Sequence, residues 1–405
     1  MTNRQSAALS AVAISILVTL LGFLLSQLRI VRLLHLKARD LHTIASQHAP
    51  SKDVILLVID QKSLDRYPEP LLFWHPYYAE AIEAAAEAGA KVLGLDVAFP
   101  IPVDRWAPGL DQRMAEAVIK TAPVMPVICG YAAVAMDRQH DWVVPMNMAA
   151  SALGQMAYVN LHADEDDFIR SIELTEPAGS KSLSLMVAER FLGKPVNYPE
   201  PIMKIRYAGP AGTFPRVSLS DFVNAARAGQ KQRLRQWVAG KAVLLGPDII
   251  SDRHATPFYA FRAGSPANTA GVEIHANAVH TMLSGQFLRS VPPPLQYAAV
   301  FLVALAAAAV TAHVTGWMLT VWLGLLAIQI ALLAHLAFLL GWLPESGQLL
   351  LSLAAATLLS LVYNYLTASR RREALRHAVA LFVGKKVAES VEETGQVELA
   401  GRKQL

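Results

Sequence analysis

The sequence contains a single cysteine, and this shortage restricts how the protein can be stabilised. Cys129 is the one cysteine among 405 residues, so the chain cannot form an intramolecular disulfide. It lies in the apolar run 124–130, where we expect a buried structural thiol rather than a reactive one. A domain exported to an oxidising compartment would therefore depend on its hydrophobic core alone.

Charged residues are also scarce. They make up 17% of the chain, whereas hydrophobic residues make up 54%. This composition is too apolar for one soluble domain of this length and indicates membrane segments. The formal net charge is only +4, which gives no reason to expect a nucleic-acid partner.

Sequence motifs of known catalytic and cofactor sites are missing. There is no G-x-S-x-G, Walker or G-x-G-x-x-G pattern, and His254, His275 and His280 do not have the spacing of a zinc site. We therefore expect no catalytic residue, no cofactor-binding residue and no metal ligand in this chain. An enzyme or transporter in the segment between the first and second apolar runs is an alternative that the absence of these motifs argues against.

Four long apolar runs are present, at residues 7–28, 295–314, 317–343 and 348–367. Each is long enough to cross a hydrocarbon layer of about 30 Å as a helix. The first could instead be a cleaved signal peptide, but it is longer than the usual apolar stretch of one and continues into Arg29 and Arg32. The sequence thus predicts an integral membrane protein with one N-terminal and three C-terminal spans.

Basic residues give an incomplete answer about orientation. Four spans put both termini on one side, where the basic residues near the membrane are Arg4, Arg370, Arg371, Arg372, Arg376, Lys385 and Lys386. The other side carries Arg29, Arg32, Lys37, Arg39 and Arg289. The bias favours cytoplasmic termini, although the basic cluster after the first span opposes it.

The region between the first and second spans has the pattern of an α/β domain. Strand-like apolar runs at 53–60, 91–99, 124–130 and 241–247 alternate with helical stretches, among them 77–88 and 272–283. Strands that are apolar throughout indicate a parallel sheet covered on both faces. Ser218 followed by Asp221 resembles a capping box at the start of another helix.

An ordered series of segments resembles a known family. The order VILLVID, AGAKVLGLDVAF, ALGQMAYVNLHADEDDFIRSIEL, GKAVLLGPDIISDRHATPF and GVEIHANAVHTMLSG is similar to the type-two CHASE domain, a sensory extracellular domain associated with cyclases and histidine kinases. The similarity covers roughly residues 40–294, and three spans after the domain are usual in the family. It implies a sensor domain in the periplasm of a bacterium, held in the inner membrane by a multi-pass chain.

The sequence departs from the family pattern in two places. A tryptophan-proline-tryptophan-like stretch is reduced to LLFWHP, which keeps Trp74 and Pro76. An aspartate-glycine pair before the family's arginine is Asp166-Asp167 here, while Arg170 is retained. If these positions shape a ligand pocket, the ligand of this protein differs from those of its relatives.

Four residues form our candidate ligand pocket: Asp60, Trp74, Asp96 and Arg170. Asp60 and Asp96 end two strands that look adjacent, and open α/β sheets bind ligands outside the carboxyl ends of their strands. The alternative is that each carboxylate caps the turn or helix that follows it. The acidic stretch 164–167 could attract calcium, but a solvated turn is the preferred interpretation.

The C-terminal segment carries a second resemblance. Residues 381–405 are similar to the segment that precedes class III nucleotide cyclase domains, and the catalytic residues of such a domain would lie beyond Leu405. The resemblance implies a transmembrane receptor for an unknown extracytoplasmic ligand that controls an adenylate cyclase domain using Mg²⁺. The alternatives are a stand-alone sensor or adaptor, or a sensor for a kinase or diguanylate cyclase.

The segment 369–382 is expected to continue the last span as a helix. Leu375, Val379 and Phe382 fall on one face with coiled-coil spacing, and Arg370 to Arg372 would lie at anionic lipid headgroups. These patterns predict a homodimer with membrane lipid as a second partner. The predicted domains are an anchor (1–30), the sensor domain (31–294), a three-helix bundle (295–368) and a cytoplasmic transmitter segment (369–405).

Overall fold

The computed structural model of the protein describes residues 3–132, 144–176, 179–259 and 268–382. The chain divides into two compact units. The first comprises residues 1–32, 291–334 and 345–405, and the second comprises residues 33–290 and 335–344. The domain boundaries expected from the sequence remain predictions.

The secondary structure of the described residues alternates helices and short strands. The helices are α1 (Asn3–Leu25), α2 (Arg29–Ala45), α3 (Gln61–Arg66), α4 (His75–Glu87), α5 (Leu110–Thr121), α6 (Pro145–Ala152), α7 (Leu183–Leu192), α8 (Leu219–Arg227), α9 (Lys231–Val238), α10 (Gly271–Ser284), α11 (Pro293–His313), α12 (Trp317–Leu339) and α13 (Ser346–Phe382). The strands are β1 (Val54–Ile59), β2 (Val92–Leu95), β3 (Val127–Tyr131), β4 (Met156–Tyr158), β5 (Ser171–Glu173), β6 (Ile202–Lys204), β7 (Arg216–Ser218), β8 (Ala242–Pro247), β9 (Arg253–His254), β10 (Thr269–Ala270), β11 (Arg289–Ser290) and β12 (Trp342–Leu343).

Four helices of the described part are long and apolar enough to cross a membrane. They are Ala8–Leu25, Pro293–His313, Trp317–Leu339 and Ser346–Ala378. They correspond to the four apolar runs of the sequence, and the last extends without a break to Phe382. At 1.5 Å per residue, α13 measures about 55 Å, which is longer than a hydrocarbon layer is thick.

Small and polar side chains join the apolar helices of the first unit. Ala304 and Ala307 of α11 are buried in a cluster with Val18, Ile330 and Leu353. Small residues allow helix backbones to approach closely, which is how helices associate in lipid. In addition, the Gln296 side-chain amide donates to the Gln348 side-chain oxygen at 3.1 Å.

A six-stranded sheet forms the centre of the second unit, with the strand order β4-β3-β2-β8-β1-β7. Every neighbouring pair in it is parallel. The α/β prediction is therefore confirmed, and the strands other than the edge strand β7 are almost entirely apolar because helices cover both faces of the sheet. Along β1, Ile55, Leu57 and Ile59 face one core, and the alternating residues Val54, Leu56 and Val58 face another.

The helices on the two faces of the sheet differ. Residues of α4, α5, α6, α8 and α9 pack in the first core, and residues of α7 and α10 pack in the second. A third cluster joins α7 and α10 to the two-stranded antiparallel sheet β5–β6. Gly94 permits close packing of α7, because a Cβ there would lie 2.6 Å from the Val187 side chain.

The predicted capping hydrogen bond of Ser218 is wrong. The helix α8 does begin after Ser218, but the Ser218 side chain makes no capping hydrogen bond. Its hydroxyl instead donates to the Asp60 carboxylate at 2.8 Å. The sequence could not reveal this partner, because it lies 158 residues away in the chain.

Candidate functional site

Three aspartates lie at the carboxyl edge of the parallel sheet. Asp60 follows β1, Asp96 follows β2 and Asp248 follows β8. Because all three strands are parallel, these residues leave the sheet at the same edge. The strands of Asp60 and Asp96 are not adjacent, as we expected from the sequence, because β8 pairs with both and separates them.

Asp60 acts as a structural cap. Its carboxylate accepts from the Ser63 backbone N–H at 3.0 Å and from the Ser63 hydroxyl at 2.8 Å. With the Ser218 hydroxyl it therefore has three donors, which hold the start of α3 against the end of β7. This arrangement is the capping alternative that the sequence left open.

Trp74 is completely buried. Its indole N–H donates to the Glu69 carbonyl at 2.8 Å, and its ring meets Tyr67 edge-on with 5.0 Å between centroids. In this conformation it is a core residue. However, the neighbouring Tyr77, whose ring centroid lies 6.0 Å away, faces a surface cavity.

That cavity has a volume of about 500 Å³, which is within the range of small-molecule sites. It lies between the loops that follow β1 and β2. Its lining combines apolar rings with one carboxylate and one guanidinium: Glu69, Pro70, Phe73, Pro76, Tyr77, Trp106, Ala107, Leu110 and Arg227. The sequence analysis missed it because most of these residues have no individual signal and come together only in the fold.

Asp96 is a nearly buried carboxyl group, with 10% of its side chain exposed. Its Oδ1 atom lies 3.8 Å from the Nε2 atom of His275. Burial, and to a smaller extent the charge of Asp252, raise the pKa of Asp96 well above its ordinary value. A carboxyl group in this setting can donate a hydrogen bond in its neutral form or favour a nearby cation.

His275 is held neutral beside Asp96. Its Nδ1 atom lies 2.7 Å from the Ser184 hydroxyl and its Nε2 atom lies 3.2 Å from the Val159 carbonyl. A carbonyl can only accept, so Nε2 carries the proton. Burial lowers the pKa of His275 to about 4, although the Val159 hydrogen bond opposes this shift. His275 therefore has a packing role in the core of the domain.

Arg170 is the centre of an ionic cluster that fastens α2 to the rest of the second unit. Its Nε and Nη2 atoms donate to the two oxygens of Asp40 at 2.6 and 2.8 Å. Its Nη1 atom donates to Asp164 at 2.9 Å and to Asp166 at 2.7 Å. Lys37 also contacts Asp166 at 2.8 Å. We call Lys37, Asp40, Asp164, Asp166 and Arg170 the linker clamp.

The electrostatics of the linker clamp favour its charged form. Burial raises the pKa of Asp166, but the hydrogen bonds from Arg170 and Lys37 outweigh it and leave the pKa well below the ordinary value. Burial likewise opposes the charge of Arg170, and its carboxylate partners more than compensate, so its pKa is raised. The acidic stretch 164–167 is therefore solvated only in part: Glu165 and Asp167 are exposed, whereas Asp164 and Asp166 are partners of Arg170.

The backbone conformation of Asp167 shows how this sequence can lack the glycine of the aspartate-glycine pair. It is the one described residue other than glycine with positive φ, at 62°. Glycine adopts this left-handed conformation without steric cost, and aspartate tolerates it better than most residues. The turn is therefore kept although its glycine is absent.

A second ionic network lies near Asp248. Arg216 donates to Asp248 and to Glu273, both at 2.8 Å, and Arg253 donates to Asp248 at 2.6 Å. Glu273 also accepts from the Gly212 backbone N–H at 3.0 Å. Sequence reasoning missed these residues, because their carboxylate and guanidinium groups come from distant segments.

The four residues of the predicted pocket have separate roles. Within the described residues, no hydrogen bond, ion pair or ring contact joins any two of Asp60, Trp74, Asp96 and Arg170. A shared pocket for them stays a prediction. In the same part of the chain, no cluster of three or more histidine, cysteine or acidic side chains has the geometry of a metal site.

Some predictions concern residues outside the described part. The similarity to a cyclase lead-in lies mainly in residues 383–405, and the side chains of Val379 and Phe382 are also outside it. Of the predicted seam, Leu375 is described, and its side chain is exposed.

The fold defines a class of protein in which a parallel α/β domain is connected to apolar helices. The linker clamp binds this domain to α2, the helix that follows the apolar helix α1. A family model for the CHASE2 domain matches residues 12–310. The chain belongs to the CHASE2 family, whose members are sensor domains that are typically extracellular. No curated protein and no solved structure gives a significant match.

Proposed function

We propose that this chain is the sensing part of a transmembrane receptor that controls a cytoplasmic class III adenylate cyclase domain. Family membership supports the sensing role. The observation that carries the mechanism is the linker clamp, because it couples the sensor domain to α2, which follows the apolar helix α1 after a short turn. A change in the sensor domain that moves Arg170 would thus act on the helix nearest the first span.

The stimulus would be a small molecule that binds the cavity beside Tyr77. Rings and prolines there suit an apolar body, and Glu69 and Arg227 suit polar groups at its edge. Such a ligand changes signalling only if it binds one conformation of the domain better than the other. A ligand with equal affinity for both would shift nothing.

The receptor would be a multi-pass protein of a bacterial inner membrane, with the sensor domain in the periplasm. Within the second unit, β11 pairs with β12, so Arg289–Ser290 and Trp342–Leu343 must lie on the same side of a membrane. Two candidate spans, α11 and α12, separate these strands in the chain. Two crossings return the chain to the side from which it started, which is consistent with the proposal.

The receptor would act as a homodimer. On α2, Leu34 and Leu41 are 49% and 55% exposed, while Asp40 is buried. They are seven residues apart, which places them on one stripe of a helix. This spacing suits packing against α2 of a second copy of the chain. The exposed Leu375, at the cytoplasmic end of α13, would form a separate contact between the two copies.

The test of the effector is an assay of product formation. Membranes that contain the natural full-length protein should form cyclic AMP from ATP with Mg²⁺, and the same membranes with the Asp40→Asn variant should lose their response to the stimulus. Membranes with residues 1–405 alone should form none. Cyclic di-GMP formation or histidine phosphorylation by the full-length protein would show a different effector, and the absence of all three activities would indicate a stand-alone sensor.

A further inference from the structure

A second cavity of the second unit is lined by two arginines. Its volume is about 400 Å³. One wall is Arg206, another is the segment from Gly285 to Arg289, and the third is the segment from Leu339 to Trp342. None of these residues belongs to the linker clamp or to the cavity beside Tyr77.

The two arginines lack an acidic partner. Within the described residues, neither Arg206 nor Arg289 has a carboxylate within ion-pair distance. The Arg206 side chain donates from Nη2 to the Leu339 carbonyl at 3.3 Å, but its buried Nε–H has no hydrogen-bond partner there. A partly buried cation with an unused donor is costly unless an anion balances it.

The walls of the cavity are fixed by the backbone. The Arg289 N–H donates to the Gly341 carbonyl at 2.8 Å, and the parallel pairing of β11 with β12 continues this contact. Gly341 has φ 88°, and a Cβ there would lie 2.9 Å from the Phe287 carbonyl oxygen. The position therefore requires glycine, and the cavity is formed before any ligand binds.

The neighbouring segments place this cavity at a membrane surface, a step that rests on the proposed membrane topology. Leu339 is the last residue of the candidate span α12, and Arg289 lies shortly before the candidate span α11, which starts at Pro293. Leu340 is 72% exposed and Trp342 is 40% exposed. Tryptophan beside exposed leucine is typical of the membrane–water interface.

We propose that Arg206 and Arg289 bind the phosphate of an anionic phospholipid, with Leu340 and Trp342 against its apolar part. Guanidinium groups match phosphate oxygens in geometry and charge, and basic pockets beside membrane helices bind lipid headgroups. A free phosphate ion offers the same oxygens but no apolar part. The exposed leucine and tryptophan therefore favour the lipid as the source of the phosphate.

The test measures binding of phosphatidylglycerol to the purified, delipidated full chain in detergent. The double variant Arg206→Gln, Arg289→Gln should bind at least about tenfold more weakly, because contacts between charged partners are each worth about this factor. Arg235→Gln, at an exposed arginine of α9, is the matched control and should bind like the wild type. Arg289 is exposed, so Arg289→Gln alone is expected to fold normally and still bind several-fold more weakly.

Two results would overturn the proposal. One is equal affinity of the double variant and the wild type for phosphatidylglycerol. The other is displacement of the lipid by millimolar inorganic phosphate, which would assign the cavity to a soluble anion. The cyclic AMP assay tests the effector, and labelling of engineered cysteines in intact cells tests the membrane topology. Failure of either proposal is therefore distinguishable from failure of lipid binding.

Discussion

Arg170 donates hydrogen bonds to both carboxylate oxygens of Asp40, although the two residues are 130 positions apart in the chain. Asp40 lies on α2, and Arg170 directly precedes β5. This pair makes the helix after the first candidate span part of the sensor domain's ionic framework. It is the contact through which we expect a change in the domain to reach the membrane helices.

Removing one partner of this pair should be destabilising. Asp40→Asn removes one of three carboxylates around the buried Arg170 guanidinium, and because Asp164 and Asp166 remain, the cost should lie below that of a fully broken buried ion pair, which is about 3–5 kcal/mol. Chemical unfolding of the purified chain, followed by tryptophan fluorescence, measures this loss. Arg190→Gln is the control, because Arg190 is exposed and makes a single hydrogen bond to the Gly154 carbonyl. A loss equal to that of the control would mean that the clamp does not hold α2.

Two glycine substitutions in adjacent positions should have opposite effects. Asp167→Gly restores the residue that the left-handed conformation prefers, so stability should stay equal or rise by up to about 1 kcal/mol. Asp166→Gly removes the contacts to Arg170 and Lys37 and should destabilise the protein. Melting temperatures of both variants test this, and a lower value for Asp167→Gly than for Asp166→Gly would contradict the account of the turn.

Stability should fall on acidification because of His280. Its Nε2 atom lies 3.0 Å from Nε2 of His48, its ring packs against Phe214, and the Arg206 guanidinium also acts on it. Burial, then the charges of His48 and Arg206, lower the pKa of His280 from 6.5 to about 4. The folded state thus binds fewer protons than the unfolded state within this window, so stability present above pH 6.5 is lost as the pH falls toward 4.

The pH effect has a clear control. A full shift of this size corresponds to about 3 kcal/mol, and His275 adds a similar contribution. His280→Gln should therefore reduce the loss of stability between pH 6.5 and 4, and His162→Gln, at a side chain that is 58% exposed, is the matched histidine substitution for comparison. Unfolding free energies at both ends of this range measure the difference. An unchanged slope in His280→Gln would show that His280 does not titrate in this way.

The dimer is testable by cross-linking in membranes. In the proposed homodimer, Leu41 of one copy faces α2 of the other, so Leu41→Cys should form a disulfide-linked dimer under mild oxidation. Lys231→Cys on the exposed surface of α9 should not. Cys129 does not interfere, because it is buried and burial raises its pKa to about 12. Equal cross-linking at both positions would contradict the specific contact.

Local patterns in the sequence predicted the strands β1, β2, β3 and β8 and helices such as α4 and α10, because each needs only a short window. Gly193 and Gly285 end α7 and α10 in the left-handed conformation, as helix-ending glycines do. The order of the strands in the sheet could not be predicted from the sequence in the same way. The insertion of β8 between β1 and β2 depends on the paths of the intervening helices, and nothing in the strand sequences themselves encodes it.

The candidate site was the least predictable part. Asp60, Asp96 and Arg170 stood out by type and position, but their partners Ser218, His275 and Asp40 come from remote segments. Asp40 had one signal: it interrupts the apolar residues Leu33, Leu36 and Ile44 of α2, about 100° around the helix from Leu41. A carboxylate on a buried face requires a cation, and Arg170 supplies it.

The most direct test of the central claim, a sensor domain outside the cytoplasm, is cysteine labelling in intact cells. Lys231→Cys reports on the sensor domain, and Thr315→Cys reports on the turn between α11 and α12; both positions are exposed. With a membrane-impermeant maleimide, we predict labelling of Lys231→Cys in intact cells and of Thr315→Cys only after permeabilisation. Labelling of Thr315→Cys in intact cells, with Lys231→Cys protected until permeabilisation, would contradict the account.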